Sequence, residues 1–135
     1  MTKKLDHIGI AVRNMDDTLD IYKRAYGLEP LAIETYEEMK TKIAFIPMGE
    51  TQIHLLAATE PGMGPIGEFL EQNGEGFHHM GWRVEDIEGT MEELTQENIL
   101  LRDKEPVKVG DSLRIAFVAP ESTQNVLIEL LEMSD

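Results

Sequence analysis

Three imidazoles and one carboxylate recur at matched places in this chain, and together they have the chemistry of a metal site. His7 stands in His7-Ile8-Gly9-Ile10-Ala11-Val12 and His79 in Gly76-Phe77-His78-His79-Met80-Gly81-Trp82-Arg83-Val84, an offset of 79 − 7 = 72 residues. At that offset Gly9 meets Gly81, Val12 meets Val84 and Thr18 meets Thr90, while Asn14 and Asp86, Met15 and Ile87, and Asp16 and Glu88 are chemically alike. The same offset sets Lys42-Ile43-Ala44-Phe45 on Arg114-Ile115-Ala116-Phe117. Ile53-His54-Leu55-Leu56 meets Ile128-Glu129-Leu130-Leu131 three residues later, which a longer turn from Pro120 to Gln124 explains. Each half therefore offers two ligand-capable side chains: His7 and His54, then His79 and Glu129. Imidazole and carboxylate suit Zn, Ni, Co, Mn or Fe, and coordination positions left open admit a chelating substrate. The chain has no Cys, which removes thiolate ligands and any disulfide framework.

Strands have to hold these four residues. Leu5 to Arg13 alternates and is rich in Ile and Val, which predicts a strand. Asn14 then caps a helix from Met15 to about Tyr26, with Asp16 and Asp17 in its first turn and Gly27 ending it. Leu31 to Tyr36, Thr41 to Met48 and Gln52 to Ala58 are three further strands, with Met48-Gly49-Glu50-Thr51 as a hairpin turn. The second half repeats the order: a strand from His78 to Val84, a helix capped by Asp86 and running to about Asn98, then strands at Leu100 to Arg102, Leu113 to Ala119 and Val126 to Glu132. Gly89 costs that helix ~1 kcal/mol relative to Ala and predicts a loose first turn. The loop from Asp103 to Ser112 is long enough to cover a site. Because side chains alternate across a strand, His7 shares a face with Gly9 and Ala11, and His79 with Gly81 and Arg83. The opposite faces, Ile8, Ile10 and Val12, then Met80, Trp82 and Val84, are the ones expected to meet the helices, leaving the small-and-polar faces open.

These elements make one α+β domain over residues 1–135, with module one at 1–60, a linker at 61–76 and module two at 77–135. Thr59-Glu60-Pro61-Gly62-Met63-Gly64-Pro65 is rich in breakers, and Ile66 to Gln72 is a short helix within the linker. The chain has 135 residues, 41% of them hydrophobic, enough for one buried core but marginal for two independent ones. The formal charge of −14 and the lack of a basic stripe argue against a nucleic-acid partner. No apolar run reaches the roughly 20 residues of a membrane span, and Met1-Thr2-Lys3-Lys4-Leu5 has no signal-peptide core, so a cytoplasmic protein is expected.

The strand bearing His7, the His78-His79 doublet strand and Val126-Leu127-Ile128-Glu129-Leu130-Leu131 resemble those of the vicinal oxygen chelate (glyoxalase/bleomycin resistance) superfamily, and within it the methylmalonyl-CoA epimerases. The resemblance spans nearly the whole chain. It implies paired βαβββ modules forming a cup-shaped mixed sheet with helices on its outer face, in a homodimer. It also implies one divalent ion, Zn, Co, Ni or Mn, held by His7, His54, His79 and Glu129. The implied reaction interconverts (2R)- and (2S)-methylmalonyl-CoA, an acyl-CoA thioester, by proton transfer at C2 through a metal-stabilised enolate. Proton-transfer groups are then needed on both faces of C2. Glu129 serves one, and for the other the third-strand region offers Glu37 and Glu38, which fit a solvated face equally well. The chain departs from the family in having His at position 54 instead of Gln or Glu. It also has Val109-Gly110-Asp111-Ser112 for the Gly-rich loop and Ala119-Pro120-Glu121 for the family's His-Pro-Lys turn. Lys42, Arg83 and Arg114, with Lys108, are the cations left to answer an anionic substrate. Two other activities suit the same scaffold: a glyoxalase I-like lactoylglutathione lyase, and a small-molecule binding or resistance protein.

Overall fold

A computed structural model describes residues 3–134; Met1, Thr2 and Asp135, which the module ranges above include, lie outside them. The chain divides into two compact units, one of residues 7–78 and one of residues 79–134 with residues 3–6. The elements in order are β1 (Lys3–Ala11), α1 (Met15–Tyr26), β2 (Ala32–Tyr36), β3 (Thr41–Met48), β4 (Thr51–Ala58), α2 (Gly64–Asn73), β5 (Gly76–Val84), α3 (Ile87–Gln96), β6 (Val107–Val109), β7 (Leu113–Val118) and β8 (Ile128–Met133). No helix among the described residues is long and apolar enough to cross a membrane.

In the first unit the strands hydrogen-bond in the order β2-β3-β4-β1, with β1 parallel to β4 and both β2-β3 and β3-β4 antiparallel. The Asn14 side chain accepts the Asp17 N–H at 2.9 Å and Gly27 closes α1 in the left-handed region at φ 69°, as the sequence predicts. Met15 of α1 is buried among Val12, Ala44, Ile46, Leu55 and Ala57, with Leu19 and Tyr22 packed against them. Burial of Ile46 and Leu55, both at 0% exposure, contributes roughly 1.5–3 kcal/mol each.

The other face of this sheet departs from expectation. His7, Gly9 and Ala11 are the buried residues of β1, not an open row. At its Ala11 end Ile66 and Leu70 of α2 pack on Ala11 and Leu56, so the linker helix lies on the histidine face while α1 lies on the opposite one. Arg13 holds that helix from the side, donating its backbone N–H to Glu75 at 2.8 Å and its guanidinium to the Leu70 carbonyl at 3.0 Å.

The second unit runs β5-β8-β7-β6, β5 parallel to β8 and the remaining pairs antiparallel. Val84, Ile87, Met91, Ala116, Val118, Ile128 and Leu130 form its core against α3. The first turn of α3 is not loose: the Gly89 N–H donates to the Asp86 side chain at 3.1 Å, and the Ile87 N–H donates to Glu132 at 3.1 Å. The helix stops at Gln96, two residues short of the predicted end, because Asn98 takes φ 63°.

Leu100 to Arg102 is not a strand. Only Leu101 bridges to Val118, because the Asp103 carboxylate then takes the Phe117 N–H at 2.7 Å and ends the pairing. The third strand is Val107–Val109 instead, paired with Leu113–Ile115, so the segment read as a covering loop adds an edge strand to the sheet.

Candidate functional site

In the second unit, parallel pairing sets Glu129 of β8 beside Gly81 of β5, and His79 stands two residues before Gly81 on the same face. The glycine has no side chain to come between them. The His79 Nε2 therefore approaches the Glu129 Oε1 to 3.5 Å, and both residues are buried, with 7% and 9% of their surface exposed. Two ligand atoms each ~2.1 Å from one ion and spread at the tetrahedral angle stand about 3.4 Å apart. The pair therefore fits two sites of one nitrogen-and-oxygen coordination sphere. Phe117, paired with Glu129 across the sheet, sets its ring edge-on to His79 at 6.4 Å and gives the pair an apolar neighbour.

The first unit repeats the device with different chemistry. Parallel pairing sets His54 of β4 beside Gly9 of β1, and His7, 2% exposed, stands two residues before Gly9. Here the two rings stack, 3.9 Å between centroids and 10° between planes. The Phe45 ring meets His54 edge-on at 4.7 Å, and the Gln52 Oε1 lies 2.9 Å from the His54 Nε2. An imidazole binds an ion in the plane of its ring, and two nearly parallel planes separated by a ring's thickness share no such point. This geometry does not aim His7 and His54 at a common ion; it makes His54 a packing partner that fixes the His7 ring.

The other expected site residues are dispersed. Glu37 and Glu38 lie on an exposed 3₁₀ turn, Glu37–Met39, outside the sheet. Lys42 is paired with Ala57 and so points to the α1 side, opposite His54. The Arg83 guanidinium donates to Asp6 at 2.9 Å. Arg114 pairs with Glu88 at 2.7 Å and also with Glu132. These two carboxylates raise the Arg114 pKa further, and Arg114 in turn lowers that of Glu132. Both arginines read as substrate-binding are thus engaged in ion pairs, and Lys108 lies exposed on β6 opposite Arg114.

One pair escaped the sequence reading. Glu34 pairs with Ile43, and Tyr36 with Thr41, on the face that carries Phe45 and His54. The Tyr36 hydroxyl donates to the Glu34 carboxylate at 2.6 Å, and burial, then Glu34, push the phenol up to about 12. Alternation from Ala32 to Tyr36 was the available signal, since it puts Glu34 and Tyr36 on one side of the strand.

Residues 6–117 match the family model of the Glyoxalase/Bleomycin resistance protein/Dioxygenase superfamily. Among curated proteins, the uncharacterized protein YqjC of Bacillus subtilis is 34% identical over 96% of this chain and 91% of its own length. The mitochondrial methylmalonyl-CoA epimerase of Dictyostelium discoideum is 31% identical over 96% of this chain and 78% of its own. Among solved structures, Streptomyces coelicolor methylmalonyl-CoA epimerase in complex with 2-nitronate-propionyl-CoA superposes with a TM-score of 0.87. It is 28% identical, over 97% of this chain and 94% of that one.

Proposed function

Because the chain belongs to the glyoxalase/bleomycin resistance/dioxygenase superfamily, whose vicinal oxygen chelate fold of paired βαβββ modules it shares, we propose that it is a metal-dependent methylmalonyl-CoA epimerase. The observation that carries this reading is the buried His79–Glu129 pair. An epimerase relative matches across nearly the whole chain, which supports the substrate class, an acyl-CoA thioester. His7, His79 and Glu129 are the proposed ligands of one divalent ion, with His54 holding the His7 ring by stacking.

When bound, a divalent ion supplies a Lewis acid that polarises the acyl oxygens and stabilises the negative charge left as the C2 proton departs. The residues do the rest. Glu129 is the proton-exchanging carboxylate for one face of C2: the C2–H bond breaks, its electron pair moves toward the thioester oxygen and the proton passes to a Glu129 oxygen. Burial of Glu129 and the Phe117 ring beside its partner keep water from competing for that proton. A homodimer joins the proposal, with sedimentation velocity as its check.

The test is C2 exchange. With metal restored, (2R)- or (2S)-methylmalonyl-CoA in deuterated buffer should lose its C2 proton and interconvert. Both should stop on chelation and in Glu129→Gln. Absence of metal-dependent exchange refutes the reading, and turnover of the methylglyoxal–glutathione adduct in its place would assign the lyase chemistry.

A further inference from the structure

In the first unit, strand pairing places Gln52 of β4 between His7 of β1 and Pro47 of β3, on the face that carries His54 two residues on. The Gln52 side chain is half-buried, and its Oε1 lies 2.9 Å from the His54 Nε2. An amide oxygen only accepts, so the proton between them is the imidazole's own, on Nε2. A ring nitrogen that carries its proton has no lone pair for a cation, so His54 donates to Gln52 through the nitrogen it would otherwise offer to an ion. We propose that Gln52 is a positioning residue: it fixes the tautomer and the flip of His54, and through that stacked ring it holds His7 in the orientation that binds a divalent ion. The inference rests on the reading of His7 as a metal ligand given above.

Three contacts restrain the His54 ring, and only one of them tells its edges apart. His7 covers a face, at 3.9 Å between centroids and 10° between planes, and Phe45 meets the ring edge-on at 4.7 Å. Both contacts resist tilting. Neither distinguishes the ring from the same ring turned by 180° about Cβ–Cγ, which exchanges Nε2 with Cε1 and Nδ1 with Cδ2. The Gln52 bond does, since the turned ring would present a carbon to Oε1. It also selects one of the two neutral tautomers, and so sets the direction of the ring dipole that lies against His7. Polar partners of this kind, which order the side chains around a metal, change its affinity by about 10- to 100-fold when they are removed. The second half supports the link between Gln52 and an imidazole at position 54. At the offset that sets His54 on Glu129, 129 − 54 = 75, Gln52 meets Leu127: where the ligand-capable residue is a carboxylate with no tautomer to fix, the amide is absent.

The experiment has two readouts on the full chain. Long-range ¹H–¹⁵N NMR of the metal-free protein reads the His54 tautomer, and competition with a chelator reads the dissociation constant for Co(II). Wild type should show His54 with its proton on Nε2, and Gln52→Glu, which keeps an accepting oxygen, should show the same. Gln52→Leu should show both tautomers in exchange and hold Co(II) about tenfold more weakly, and Gln52→Ala repeats that arm with a smaller side chain. In a His54→Phe background the ring has no nitrogen and its two edges are equivalent, so adding Gln52→Leu should change the Co(II) constant by less than about twofold. A merely structural role for Gln52 would weaken Co(II) binding equally in both backgrounds, and that outcome overturns the assignment. A wild-type His54 with its proton on Nδ1 overturns it as well, and so does a Gln52→Leu protein that binds Co(II) as tightly as wild type or more tightly; both leave the epimerase reading intact. A wild-type protein that takes up no Co(II) overturns the reading of His7 as a metal ligand, and the Gln52 assignment with it.

Discussion

Replacing Gly67 by Ala should destabilise the protein, although the same change in an ordinary helix stabilises it. Gly67 is buried in the first turn of α2, and a Cβ built there lies 2.7 Å from the Gly62 carbonyl carbon, 3.2 Å from its Cα and 3.3 Å from its nitrogen. All three are backbone atoms of a turn residue at φ 73°, so no side chain can rotate away. Restoring an ordinary 3.4 Å contact requires the turn and the helix to part by 3.4 − 2.7 = 0.7 Å. The helix is not free to yield, because Ile66 and Leu70 are packed on Ala11 and Leu56 and Arg13 grips the Leu70 carbonyl. Overpacking of this kind costs ~1–3 kcal/mol, and the gain from helix propensity is at most ~1 kcal/mol. A net loss of up to about 3 kcal/mol follows, which at this chain length lowers Tm by up to roughly 10 °C. Urea denaturation followed by far-UV circular dichroism measures it, with Glu68→Ala, an exposed neighbour on α2, as the control expected within ~0.5 kcal/mol of wild type. Trp82, the single tryptophan, packs half-buried against the core of the other unit, and its fluorescence reports whether both units unfold in one transition. A Gly67→Ala protein more stable than wild type would refute the close approach of turn and helix.

Three further outcomes follow from single contacts. Alkaline titration read by phenolate absorbance should show one tyrosine ionising at about 12, and Glu34→Gln should bring it back toward the ordinary 10. Since that phenol is raised in the folded chain, its contribution to stability is whole below pH 10 and falls as the pH passes toward 12. Asn14→Ala removes the side-chain acceptor of the Asp17 N–H and should cost ~1 kcal/mol, measured by the same urea series. Arg114→Met should leave KM for the acyl-CoA within about twofold, because both Glu88 and Glu132 already engage the guanidinium; a large rise in KM would return it to the substrate.

The repeat was legible because it rests on local order. Strand alternation, the Asn14 and Asp86 caps and the Gly27 stop are each specified within a few residues, and all are present in the structure. The extent of the second helix and third strand was less so. Two leucines at 100 and 101 carry strand propensity, but the decisive event is a side chain, Asp103, capturing the Phe117 N–H, and no pattern of hydrophobicity encodes that. His54 shows the same limit at the candidate site. Its place opposite Gly9 could be read from the offset with Glu129, but the plane of its ring is set by Phe45, Gln52 and His7. The face Lys42 takes was hidden for a simpler reason: its register against Ala57 is set by strand pairing, not by local sequence.

The same register sharpens how a chain of formal charge −14 could receive a malonyl thioester. Arg83 is engaged by Asp6, and Arg114 by two glutamates, while Lys42 faces the α1 side, so each of these three cations is either ion-paired or turned from the His54 face. On the proposed reading the ligand set holds one carboxylate, Glu129, and neutral imidazoles. A divalent ion in that set keeps a net positive charge, and it is the group left to attract the substrate carboxylate. Had the first half carried a glutamate at position 54, as the second does at 129, two carboxylates against one divalent ion would have cancelled that attraction. The imidazole at position 54, stacked on His7, orders the site without spending its charge, which makes His54→Glu the substitution expected to raise KM for the acyl-CoA while strengthening metal retention. Measuring both on one preparation separates this electrostatic account from simple loss of fold, in which metal retention and KM would worsen together.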